Sequence, residues 1–96
     1  MNYRASILTR VELDQDRTIG NGKTITIFGI TIANAEDVPA LVDIQDAAGT
    51  NKLTIVVPCK ETHSIPYEWI ADGGLQIDGI GSANVIVTVA HSQAGS

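Results

Sequence analysis

Apolar and polar residues alternate in short runs along most of this chain. In Tyr3 to Asp14, Tyr3, Ala5, Ile7, Val11 and Leu13 share one parity, while Arg4, Ser6, Arg10, Glu12 and Asp14 share the other. A period of two marks a strand with one buried face. The pattern predicts one strand over 3–13, about eleven residues and longer than the usual strand. Further alternating runs fall at Thr24–Asn34, Ala40–Asp46, Lys52–Pro58, Ser64–Ile70, Gly74–Gly79 and Ala83–Ala90.

Turn formers separate these runs. Gly20-Asn21-Gly22 carries the Asn-Gly signal of a tight hairpin and predicts one between a short strand at 17–19 and the strand from Lys23. That next strand switches parity: Ile25 and Ile27 share one face, whereas Phe28, Ile30 and Ile32 share the other. One extra residue shifts the pleat by one place, so a bulge is expected near Phe28-Gly29. Asn34–Asp37, Asp46–Asn51, Asp72–Gly74 and Gly79–Ser82 read as turns or loops, and Lys60–His63 as a polar connection. No run shows helical spacing over ten residues or more. The fold class expected is all-β, an antiparallel β-sandwich of seven to eight strands, immunoglobulin-like or jelly-roll-like. Within it, 1–23 forms a terminal strand and hairpin entry that could serve as an intersubunit arm, 24–91 the sandwich core, and 92–96 a frayed tail.

Ninety-six residues make one domain with one core, small enough for an oligomer interface to be a natural supplement to stability. The formal charge is −5, which argues against nucleic-acid backbone binding. Tyr3, Phe28, Tyr67 and Trp69 are too few for a base-stacking platform. The lone Cys59 excludes an intramolecular disulfide. The first ten residues lack the apolar core of a secretory signal, and no run reaches the length of a membrane-spanning helix. A soluble, cytosolically made and unprocessed chain without membrane contact is expected.

Few residues suggest chemistry. Cys59 and His63 would meet on a helix, but Pro58 and Pro66 flank an extended or looped segment, so no catalytic pair is assigned. Asp14-Gln-Asp16 resembles the opening of a calcium loop, but Thr18, Ile19 and Ile25 stand where ligands or the turn glycine belong. His63 and His91 lack partners at zinc spacing, and the glycines match no phosphate loop. The reading is a non-enzyme with no cofactor, metal or catalytic residue. Tyr67 and Trp69 have two readings: ligand-facing aromatics that stack on sugar, beside Glu68 and Asp72, or core filling by Trp69.

The order Phe28-Gly-Ile-Thr-Ile-Ala-Asn34, Ala40-Leu-Val-Asp-Ile-Gln-Asp46, Lys52-Leu-Thr-Ile-Val-Val-Pro58, Trp69-Ile-Ala-Asp-Gly-Gly-Leu-Gln-Ile77 and Gly81-Ser-Ala-Asn-Val-Ile-Val-Thr-Val89 resembles small β-sandwich virion proteins of tailed bacteriophages, including marine and cyanobacterial phages. The resemblance spans roughly residues 24 to 90 and consists of strand residues, with no catalytic residue carried over. It implies a non-catalytic virion subunit made in the host cytoplasm, most simply a capsid decoration or cement protein. The alternatives are a tail, knob or fibre component, or a carbohydrate-binding module. The implied partners are the major capsid protein or other virion proteins, together with further copies of the chain. Residues 2–13 would make those contacts by strand addition, with Tyr3, Arg4, Ile7 and Arg10 as candidate interface residues.

Overall fold

A computed structural model of the protein describes residues 6–49, 52–66 and 68–92. Nine strands occupy them: β1 (Ser6–Leu13), β2 (Arg17–Ile19), β3 (Ile25–Asn34), β4 (Ala40–Asp46), β5 (Lys52–Val57), β6 (Glu61–Ile65), β7 (Trp69–Ala71), β8 (Leu75–Ile77) and β9 (Ser82–Ser92). They form two antiparallel sheets. The larger has the order β1-β9-β3-β6, with β7 also paired to β3; the smaller has the order β2-β8-β4-β5. The architecture is all-β and sandwich-like, and the strand count of nine corrects the expected seven to eight.

The extra strand has a local cause. β3 pairs with β6 through Ile30–Asn34 and with β7 through Ile25–Ile27. Pro66 falls between those two partners and has no N–H to donate, so one edge is split in two. β6 itself starts in the segment read as a polar connection. Its Glu61, Thr62 and Ser64 face solvent, and only His63 and Ile65 are half-buried.

The predicted bulge is present. The β3–β9 register runs from Ile27 opposite His91 to Gly29 opposite Ala90, skipping Phe28. This extra residue lets Ile25 and Ile27 share the core with Ile30 and Ile32.

The predicted hairpin is not. Lys23 N–H donates to the Gly20 carbonyl at 2.9 Å, so the turn itself forms. Gly22 has a φ of 74°, while Asn21 is not among the residues with positive φ. The type I′ and II′ turns that match the twist of paired strands both need positive φ at the first central position, which Asn21 lacks. The chain therefore crosses between sheets: β2 pairs with β8, and β3 with β9.

β1 pairs with β9 from Ser6 opposite Ser92 to Leu13 opposite Ser82, as an edge of its own subunit's sheet. Leu13 and Ile19 are buried core residues, so the segment before residue 24 contributes to the same core as the rest. The core lies between the sheets, with Ile32, Val85 and Val87 on one side and Val42, Ile44 and Ile77 on the other. Residues 1–5 and the tail 93–96 lie outside the described residues, as do the candidate interface residues Tyr3 and Arg4.

Candidate functional site

Four turns gather at one end of the sandwich: 14–16, 35–39, 58–60 and 78–81. Backbone bonds knit them to the strands. Ile80 N–H donates to the Leu13 carbonyl at 2.9 Å, and Ala35 N–H to the Asn84 carbonyl at 3.1 Å. The Asp16 carboxylate accepts from Gly79 N–H at 2.7 Å. Lys60 Nζ donates to the Ala35 carbonyl at 2.7 Å, and the Ser82 hydroxyl donates to the Glu36 carboxylate.

Asn34 is the organiser of this end. Buried at the end of β3, its amide Nδ2 faces the carbonyls of Val38 at 2.9 Å, Val57 at 3.1 Å and Pro58 at 3.3 Å. Its Oδ1 accepts from Glu36 N–H at 2.9 Å. An amide nitrogen has only two hydrogens, so the longest of the three contacts is a shared one. One side chain thus satisfies backbone groups of both the β3–β4 and β5–β6 turns.

The end is acidic. Asp14, Asp16, Glu36, Asp37, Glu61 and Asp78 lie in or beside these turns, against the cations Arg17 and Lys60. Both cations are engaged there. Arg17 meets Asp14 at 2.6 Å, and Lys60 meets Asp37 at 3.3 Å. The hydrogen bond from Arg17 holds the Asp14 carboxyl below its ordinary value of 3.8.

Two apolar patches complete the surface. On the smaller sheet, Leu41 and Val56 stand directly opposite each other and are 54 % and 55 % exposed. Leu41 also lines a groove of about 500 Å³ with Val38, Ile80, Pro39 and the carboxylate-bearing Glu36. On the outer face of the larger sheet, Leu8, Phe28, Pro66 and Ala90 line a shallower groove of about 250 Å³. Leu8 is 72 % exposed and lies opposite Ala90 in the β1–β9 register. Arg10, on the same outward parity of β1, is also exposed.

Of the candidate interface residues, Ile7 is exposed at the sheet edge, opposite His91, and Arg10 faces solvent. Trp69 is only 7 % exposed and belongs to the core, which corrects its reading as a ligand-facing aromatic: a sugar ring would find no indole face. Tyr67 lies outside the described residues. Cys59 is exposed in the β5–β6 turn, while His63 sits within β6 and meets Glu61 at 3.4 Å. Among the described residues, no group of three or more His, Cys, Asp or Glu side chains is arranged to hold a metal ion. No helix among them is long and apolar enough to cross a membrane.

Sequence reading missed three features. His91 is buried, with Nδ1 donating to the Ser92 carbonyl at 2.7 Å and Nε2 sharing a hydrogen bond with the Thr9 hydroxyl at 2.7 Å. Asn34 reads from sequence as the junction of a strand and a turn, with no sign of its bonds to two turns. The patches carried a signal that could have found them: Leu8, Leu41 and Val56 are large apolar residues on the solvent parity of their strands.

No family model matches the chain, and no curated protein matches it in sequence. The fold does match a solved structure. The crystal structure of the Drosophila NLP core, which provides insight into pentamer formation and histone binding, is similar over 94 % of this chain and 100 % of that one. The TM-score is 0.59 at 14 % sequence identity, a likeness of fold. This overturns the virion role drawn from the strand pattern. The likeness found is to a core studied for pentamer formation and histone binding, and the expectation of a capsid decoration, cement, tail, knob or fibre subunit is withdrawn. The cause is physical: alternating strands with tight turns define a sandwich, which many unrelated proteins share, and function resides in surfaces that such a pattern does not specify.

Proposed function

We propose that this chain is a non-catalytic subunit that assembles with copies of itself and, once assembled, binds a basic protein partner through its acidic end. The observation that carries the proposal is the whole-chain likeness to a core studied for pentamer formation and histone binding. The strand order supports a jelly-roll type of sandwich: with β6 and β7 counted as the two halves of one strand, the two sheets of four correspond to its double-sheet arrangement.

Charge supports the second half of the proposal. A single chain carries −5. Ring assembly would multiply that charge and bring several acidic ends together, so modest attraction per subunit becomes avidity for a cationic partner. Such binding should weaken steeply as salt shortens the Debye length.

The test is co-sedimentation of the purified protein with core histones across a salt series, with a neutral protein of similar mass as control. Binding at low salt, progressively lost with added salt, is expected. Charge removal at the acidic end, through Asp16→Asn, Asp37→Asn and Asp78→Asn together, should weaken it at least tenfold. No association with histones at any salt concentration would refute the partner assignment.

A further inference from the structure

The two apolar patches lie on different sheets, with Arg10 beside the first and Glu36 and Asp43 beside the second. Leu8 projects from the larger sheet and is the most exposed of the large hydrophobic residues there. Val38, Leu41 and Ile80 frame the larger groove beside the smaller sheet. Arg10 follows Leu8 by two positions on the same face, about 7 Å along the strand. Glu36 lines the groove, and Asp43 follows Leu41 on its outward parity. These two carboxylates are hydrogen-bonded to neutral groups, the hydroxyls of Ser82 and Thr54, which leave their negative charge in place.

Building on the self-assembly proposed above, we infer that the subunits join head to tail, with Leu8 of one copy seated in the Val38–Leu41–Ile80 groove of the next and Arg10 facing its Glu36 and Asp43. A second copy is the occupant because a strongly exposed apolar side chain and an apolar groove, and a cation and carboxylates, occur together on this one chain. Two different patches make a heterologous contact, and such contacts close into rings when the rotation between subunits permits. An isologous dimer would instead pair one patch with itself. Exposed apolar area of this kind on a small subunit is also more simply explained by burial in an assembly than by permanent solvation.

Site-specific cross-linking tests the contact. In a Cys59→Ser background, chains with Leu8→Cys and chains with Leu41→Cys are prepared separately, then co-assembled and treated with a short bismaleimide. Each chain alone should stay monomeric on a denaturing gel, and the mixture should give a covalent dimer. A chain carrying both substitutions should give a ladder ending at the ring size. Failure of the mixture and the double variant to cross-link, or equal cross-linking by either single variant alone, would overturn the head-to-tail contact. Light scattering on the uncross-linked Cys59→Ser protein separates this from the assembly proposal: a monomeric mass there would refute self-assembly itself. As a second readout, Leu41→Glu should lower the mass to that of a single subunit while the circular dichroism stays β-type. An unchanged mass would also overturn the contact.

Discussion

Replacing Asn34 by alanine should be among the most damaging single changes to this fold, although it removes no apolar area. The side chain is buried and holds the turns at 35–39 and 58–60. Truncation removes two N–H donors and one acceptor, leaving the Val57 carbonyl, part of the Val38 and Pro58 pairing, and the Glu36 N–H to find other partners. A net hydrogen bond contributes about 1 kcal/mol, and a buried group left without one costs about 1–3 kcal/mol. Three such bonds, with some relief by entering water, give a loss of about 3 kcal/mol. For a domain of this size that corresponds to a drop in Tm of roughly 12–24 °C. Asn34→Asp should do at least as much harm, because a carboxylate would face three carbonyl oxygens with no hydrogen to offer. Urea and thermal unfolding, followed by circular dichroism at one fixed protomer concentration, measure both variants on a common basis. A loss below about 1 kcal/mol for Asn34→Ala would refute the view that this amide organises the acidic end.

Other predictions follow from single features. Gly74 has a φ of 107°, and a Cβ there would lie 2.6 Å from the Gly20 carbonyl oxygen, so Gly74→Ala should cost about 2 kcal/mol or more in the same unfolding assay. Ile32→Ala empties a fully buried position and should cost about 2–5 kcal/mol, whereas Leu41→Ala, on an exposed position, should leave the stability of the isolated subunit within about 1 kcal/mol. The Asp14 carboxyl is depressed by Arg17, so its ionised form is favoured by folding. That contribution is present above the unfolded value near 3.8 and is lost as pH falls through the lower folded value. Asp14→Asn should therefore be less stable than the parent at pH 6, with the gap closing toward pH 2 in acid-unfolding curves. Trp69, being buried, should show blue-shifted emission that acrylamide quenches weakly and sugars leave unchanged.

Much of the fold was legible because strand pleating writes itself into sequence. The phase change at Phe28 marked the bulge, since only an inserted residue lets Ile27 and Ile30 face the same side. The hairpin at Asn21-Gly22 misled because a short turn signal fixes local backbone but not which sheet the next strand joins. The start of β6, Glu61–His63, escaped detection because an edge strand beside β3 needs little apolar alternation: its ladder with Ile30–Asn34 supplies what its side chains do not. The role of Asn34 was invisible for a different reason. Its acceptors come from residues up to 24 positions away, a relation that only the folded chain creates. The patches lay between these extremes, visible as apolar residues out of phase with their strands.

The central claim, a self-assembling subunit, is tested most directly by the mass of the purified protein in solution, measured by light scattering over a range of concentrations. A single species of a small whole number of 10.1 kDa subunits, five if the likeness to the NLP core extends to assembly, is the predicted result. A mass of one subunit at every concentration would contradict the account.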